Sequence, residues 1–250
     1  MIRISRPFAL AAFAVMLTAG VSFAASASGQ EKEQVQIGPG ALLDDAAEGE
    51  KEDMENIEKA VLVMGTGGSN VKVSYYEKDE SGVWNAVFST DGVFGRNGGT
   101  YEKAEGDGKT PFGVFRINKA FGILDDPGCI LPYTKLTDDD YWVDDPASSH
   151  YNRMVDAGEV EKDWDSAEHL IQVAPYYNYV LSLDYNEEAV PGKGSAIFIH
   201  CTAPGYTGSS GCICIGEEEM KTLMVRADES MRAVVVPDKE ALDKLQEKDM

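Results

Sequence analysis

Gly194-Ser195-Ala196-Ile197-Phe198-Ile199-His200-Cys201 is followed eight residues later by Ser209-Ser210-Gly211-Cys212-Ile213-Cys214-Ile215. Both segments carry a short apolar run bounded by turn-forming residues, the pattern of a buried β-strand. A histidine lies at the end of the first run and a cysteine at the head of the second. A thiol attacks chiefly as its thiolate, so it needs a base within reach at neutral pH. Two strands joined by a loop would bring His200 to Cys212 as base and nucleophile. Gly211 would let a substrate approach the backbone closely and would leave N–H groups free to hold an oxyanion.

Two other readings fit the same spacing. Cys212 and Cys214 can be small buried hydrophobes, and His200 a satisfied core histidine. His200, Cys201, Cys212 and Cys214 are also four possible zinc ligands within fifteen residues. Neighbouring residues on a strand point to opposite faces, which separates His200 from Cys201. Cys212 and Cys214 would share a face, but there is no CxxC knuckle. Spacing alone leaves the base–thiol pair, the zinc site and inert burial open. The other two histidines, His150 and His169, lie in a polar region with no cysteine nearby in sequence.

Outward from this stretch the chain reads as strands. Ala60–Met64, Val71–Tyr75, Val83–Phe88, Phe112–Ile117, Leu170–Val173, Tyr179–Leu183, Ala196–His200, Gly211–Ile215 and Ala233–Val236 are short apolar or alternating runs. Gly92–Gly99 is read as turn chemistry, because it lacks the spacing of a phosphate-binding loop. Glu217-Glu218-Glu219 opens a helix through about Arg226, with acids at the positive end of its dipole and Met220, Leu223 and Met224 on one face. Asp238–Glu247 suits a terminal helix. Residues 125–165 are rich in turn formers and read as a structured insertion that builds a substrate wall.

Composition restricts the setting. The net charge of −21 argues against nucleic acid and anionic membranes as partners. Arg3 and Arg6 precede an apolar stretch that ends in small residues, so residues 1–27 read as a signal peptide; an uncleaved anchor helix is the alternative. Its removal leaves −23. Residues 28–59 hold ten Asp and Glu against three Lys and read as an acidic spacer, disordered or loosely helical. The folded domain is assigned to residues 60–250. Export permits disulfides, but four cysteines do not make a disulfide scaffold; Cys129–Cys201 is one possible bridge.

The His200-Cys201 … Ser209-Ser210-Gly211-Cys212-Ile213 arrangement resembles the YkuD-type L,D-transpeptidases, cysteine enzymes of bacterial cell-wall assembly. Gly108-Lys109-Thr110-Pro111-Phe112-Gly113-Val114-Phe115 resembles the Thr-Pro-x-Gly-x-Phe strand of that family. Asp144-Asp145-Pro146 with Ser148, Tyr151 and Asn152, then Trp164-Asp165-Ser166-Ala167-Glu168, resembles the insertion of one of its branches. The likeness spans roughly residues 60–226. It implies a mainly β fold, a YkuD-like sandwich or barrel-like sheet with few helices and a long insertion before the catalytic strands.

The resemblance further implies Cys212 as nucleophile and His200 as base, with Cys201 orienting the base through its carbonyl and Gly211 at the oxyanion site. Ser209, Ser210, Tyr151 and Asn152 would bind substrate. It implies no cofactor and no metal, peptidoglycan stem peptides as partners, and an exported protein with no stable membrane partner. The reaction would be 3–3 cross-linking through a thioester. Trimming by water, as in an L,D-carboxypeptidase, or a non-catalytic wall-binding or zinc-stabilised exported protein are the alternatives. A sortase-like enzyme fits less well, since it needs a wider His-to-Cys separation and a later Arg. The chain departs from the common pattern at Ser210, where many members have a second histidine, and at Cys214, where many have Arg. The latter change removes a fork for a carboxylate.

Overall fold

The fold is that of a computed structural model and is described for residues 57–247. The expected signal segment, and the spacer through residue 56, lie outside the described residues. Fourteen strands and two helices are present among the described residues. The strands are β1 (Lys59–Gly67), β2 (Asn70–Lys78), β3 (Trp84–Val93), β4 (Gly99–Thr100), β5 (Thr110–Pro111), β6 (Gly113–Gly122), β7 (Tyr133–Lys135), β8 (Asp140–Val143), β9 (Arg153–Asp156), β10 (Ala167–His169), β11 (Val180–Leu183), β12 (Phe198–Cys201), β13 (Ile213–Ile215) and β14 (Met231–Val236). Helix α1 (Glu217–Met224) precedes β14, and α2 (Lys239–Glu247) follows it.

The main sheet runs β11-β12-β13-β3-β2-β1-β14-β6-β7, and a further β11–β6 pairing closes it into a barrel. The long strand β6 makes the closure. Its first half pairs with β14 and its second half with β11, while β7 continues beyond β14. Closure removes the exposed edges that an open sheet would offer to other chains.

Period-two alternation fills the interior. Val61 and Val63, Val71, Val73 and Tyr75, Leu181 and Leu183, Ile199 and Cys201, Ile213 and Ile215, and Ala233 and Val235 form one buried cluster, closed by Met220, Leu223 and Met224 of α1. The opposite faces of β11 to β13 form a second core under the insertion. There Phe198, Val180, Cys212 and Cys214 meet Phe121, Trp142, Leu170 and Tyr177. The insertion contributes its own sheet, ordered β10-β8-β9. Trp142 of β8 lies edge-on to Phe198 at 4.7 Å and stacks on Phe121 at 6.3 Å, which fixes this sheet on the barrel.

Three local expectations change. Leu170–Val173 is a 3₁₀ turn over 170–172 followed by a second at 176–178, not a strand. Four residues are too few for period to separate the two, and Pro175 cannot donate to a ladder. The histidine strand begins at Phe198, because Ala196 adopts φ +54° and cannot sit in a strand. The folded part starts ahead of Ala60: Ile57 is buried against Leu62, Val234, Val236 and Leu242. Among the described residues no helix is long and apolar enough to cross a membrane.

Replacing Ile199, which is fully buried in the barrel interior, with Ala should lower stability by about 2–5 kcal/mol. Urea unfolding followed by circular dichroism measures it.

Candidate active site

β12 and β13 run parallel, with Ile199 opposite Ile213 and His200 opposite Cys214. This register places Cys212 on the same face as His200 and Cys214, and turns Cys201 into the barrel. The four possible zinc donors therefore do not converge. Cys201 Sγ points at Tyr179 O, 3.8 Å away. Among the described residues no group of three His, Cys, Asp or Glu is arranged to hold a metal ion. All four cysteines are free thiols, so Cys129 and Cys201 are not bridged.

Cys212 and His200 both line a cleft of about 320 Å³ between the barrel and the insertion. His200 is held through Nδ1, 2.7 Å from Cys201 O. A carbonyl only accepts, so Nδ1 carries the proton and Nε2 the lone pair. Burial pulls the imidazole down to about 4, against a smaller opposite effect of that hydrogen bond. At neutral pH it is an uncharged base. Burial also raises the Cys212 thiol well above its ordinary value; Glu168 and Cys214 add to this, while the Phe198 N–H and Lys103 oppose it. Cys212 Sγ donates to Ala196 O at 3.1 Å, and Cys214 Sγ lies 3.5 Å from His200 Nε2. The resting pair is thus a protonated thiol beside a neutral imidazole.

The loop carrying Cys212 is pinned from two sides. Thr110, fully buried at the end of β5, donates to Gly211 O at 2.8 Å and accepts from Gly95 N at 2.8 Å. This is the structural use of the Thr-Pro motif. Ser209 Oγ accepts from Gly211 N at 3.0 Å and donates to Cys212 O at 2.6 Å. Ser209 is therefore a brace of the loop, and the Gly211 N–H is occupied. Among the described residues the loop hydrogen bonds leave the Cys212 N–H without a partner. A Cβ on Gly211 would come within 3.0 Å of Ile197 and 3.1 Å of Lys109 O, so the position is tight as well as exposed to the cleft.

Two of the expected substrate-binding residues serve elsewhere. Asn152 Oδ1 accepts from Trp142 Nε1 and Ala196 N, each at 3.1 Å, and its Nδ2 donates to Tyr185 O and Asn186 O. Every hydrogen-bonding position is engaged in joining the insertion to the segment before β12. Tyr151 is buried, donates to Glu105 and accepts from Gly194 N. Neither side chain lines the cleft. Ser210 does, at the rim, where Arg96 Nη1 donates to its Oγ at 2.8 Å.

The sequence reading did not single out the charged lining. Glu105, Asp144 and Glu168 face the cleft, with Arg96 and Lys103 also present. Lys103 is paired with Asp107 at 2.6 Å. Glu105 accepts from Ser195 Oγ at 2.8 Å, and Glu168 from Tyr177 O–H at 2.5 Å. Burial pushes the Glu168 carboxyl up to about 7; the Tyr177 hydrogen bond opposes this, and Asp144 and Glu105 reinforce it. Asp144 Oδ1 is buried without a hydrogen bond. Asp144 and Glu168 belonged to quoted motifs. Their convergence depends on how β8 and β10 pair, which motif spacing does not reveal.

The fold is a closed β-barrel that sets a thiol and an imidazole on one face of two adjacent parallel strands, under the roof of an insertion. The sequence profile of the YkuD L,D-transpeptidase catalytic domain matches residues 69–236, and the chain belongs to that family. Similar solved structures include the helical cell shape determining protein Pgp2 from Campylobacter jejuni, at 16% identity and TM-score 0.41, covering 84% of this chain and 60% of that one. An L,D-transpeptidase C442S mutant from Enterococcus faecium is similar at 16% identity and TM-score 0.33, covering 72% and 50%. The chain thus spans about half to three-fifths of the length of these structures. No curated protein matches it.

Two outcomes follow from this geometry. Asn152→Ala should cost about 2–4 kcal/mol, because it leaves Trp142 Nε1 and Ala196 N unsatisfied; chemical denaturation measures the loss. The folded-state pKa of His200 lies below its unfolded value, so the folded state binds fewer protons. Its contribution is present above about pH 6.5 and is lost as pH falls toward about 4. Glu168, raised to about 7, titrates in the same window with the opposite sign, so the His200 term is read as the stability difference between the parent and His200→Gln, which should shrink by on the order of 3 kcal/mol as pH falls across that window.

Proposed function

We propose that this protein is an exported cysteine L,D-transpeptidase that acts on peptidoglycan stem tetrapeptides. The observation that carries the reading is the shared cleft of Cys212 and His200, with the His200 lone pair on Nε2 and Nδ1 tied to Cys201 O. Membership of the family supports the reaction class.

In the proposed reaction, the Cys212 thiol leaves Ala196 O and gives its proton to His200 Nε2. The thiolate attacks the carbonyl of the third stem residue. The Cys212 N–H stabilises the resulting oxyanion, a contribution of about 3–4 kcal/mol for a donor in such a position. Collapse breaks the peptide bond, and His200 returns the proton to the departing D-alanine amine. An amine from a second stem peptide then attacks the thioester, releasing Cys212 and giving a 3–3 cross-link. Attack by water instead gives a tripeptide.

The cleft lining favours the amine as acceptor. Glu105, Asp144 and Glu168 create a negative field suited to an ammonium group, and a carboxyl titrating near 7 can take the proton that an attacking amine must lose. Arg96 at the rim supplies a guanidinium fork for a stem-peptide carboxylate, from a different loop than the usual Arg. The apolar stretch in residues 1–27 supports export, which places the enzyme on the side of the membrane where the wall is built.

Incubation with tetrapeptide muropeptides followed by mass spectrometry tests the reading. The expected product is a dimer lacking one D-alanine. Cys212→Ala and His200→Ala should each reduce its formation at least about a hundredfold. A tripeptide as sole product would make the enzyme a carboxypeptidase. An active Cys212→Ala variant would overturn the thiol mechanism.

A further inference from the structure

Two thiols and one imidazole share the outer face of β12 and β13. The arrangement described for His200 leaves a single lone pair, on Nε2. The only donor on a cysteine is its S–H. With Sγ of Cys214 3.5 Å from Nε2 and Sγ of Cys212 turned to Ala196 O, the resting base accepts from Cys214 and not from Cys212. Cys214 is fully buried and does not line the cleft, so it cannot meet a substrate itself. Its contact with the base is not incidental to packing, because the register sets Cys214 directly opposite His200.

We propose that Cys214 is a positioning residue that engages the His200 lone pair in the resting enzyme and competes with Cys212 for it. The inference rests on the reading of Cys212 and His200 as nucleophile and base. For Cys212 to ionise, its proton must pass to Nε2, and the Cys214 S–H must give up that acceptor. Cys214 itself stays protonated throughout, since burial holds its thiol far above neutrality, with only the Ser209 hydroxyl opposing. Two consequences follow. The free enzyme carries little Cys212 thiolate, which spares it from adventitious oxidation and alkylation. Activation then depends on a substrate that displaces the Cys212 S–H from Ala196 O toward Nε2.

The groups facing the pair define the conditions for a test. Tyr176 and Tyr177 present ring edges to His200 at 6.3 and 5.1 Å, beside the Cys201 carbonyl. Glu168 from β10 and Lys103 from the loop after β4 act on Cys212. Above pH 8 Glu168 is ionised, so its carboxyl keeps one charge state across the range used.

The experiment is the rate of iodoacetamide alkylation of Cys212 in the full chain at pH 8 to 10, with the modified residue located by fragment mass spectrometry. Cys214→Ala removes the competing donor. Its Cys212 should alkylate about fivefold faster, the factor expected for loss of one hydrogen bond. Cys214→Val also lacks the donor and retains bulk, so it should match Cys214→Ala and stands in if the smaller side chain does not fold. Cys214→Ser keeps a donor and should return the rate toward that of the parent. A purely structural Cys214 predicts that Ser, Ala and Val variants shift together. That result, or an unchanged or slower rate in both Ala and Val variants, overturns the proposal. Turnover of muropeptides is not part of the readout, so failure of the substrate assignment leaves this test intact.

Discussion

The parallel pairing of β12 with β13 governs the site. One hydrogen-bonded register fixes which side chains enter the barrel and which face the insertion. A slip of one residue would send His200 and Cys212 into the apolar interior and bring Ile199 and Ile213 to the cleft. The register is protected from both sides. Inside, Ile199, Cys201, Ile213 and Ile215 sit among branched side chains of five other strands and the methionines of α1. Outside, Phe198 is clamped by Trp142, Phe121 and Tyr177. Burial on both faces makes a slip costly whichever way it runs.

Against that framework the chemistry is set by desolvation. The cleft holds a neutral imidazole, a protonated thiol and a carboxyl titrating near neutrality because burial disfavours the charged form of each. A preformed thiolate–imidazolium pair would need a counter-field that the acidic lining does not supply. In the proposed reaction, charge separation is therefore deferred to the moment a substrate excludes water and offers an oxyanion to the Cys212 N–H. A site of this kind trades resting reactivity for selectivity.

Much of the fold was legible in the sequence, and for a definite reason. The barrel strands are short Val- and Ile-rich runs punctuated by glycine and proline, and period two is unambiguous where one face is solidly apolar. β1, β2, β11, β13 and β14 were found this way. Ambiguity arose where the signal is four residues long, as at Leu170–Val173, or where a non-glycine residue takes a left-handed conformation, as at Ala196. The quoted motifs carried Cys212, His200 and Cys201 to their observed neighbourhood. They did not reveal that Ser209, which lines the cleft, also braces the loop, or that Tyr151 and Asn152 are bonded to neighbouring chain away from the cleft, since a polar residue in a motif looks the same in either setting. Nor did they expose the Glu105, Asp144 and Glu168 wall, whose members are brought together by pairings across the insertion that leave no trace in local spacing.

Asn152 and Ala196 both adopt left-handed backbone conformations, with φ of +53° and +54°, and are bonded to one another across 44 residues of chain. Alanine rarely occupies that region without support. Here the support is the Asn152 side chain, and the carbonyl of the same alanine receives the Cys212 thiol. The insertion is therefore not an interchangeable roof. A chimaera that grafted another relative's roof onto this barrel, without an amide at the Asn152 position, would release Ala196 and with it the aim of the sulfur, even if every residue of the His-to-Cys segment were retained. Roof and sulfur are tied into one unit through a single alanine.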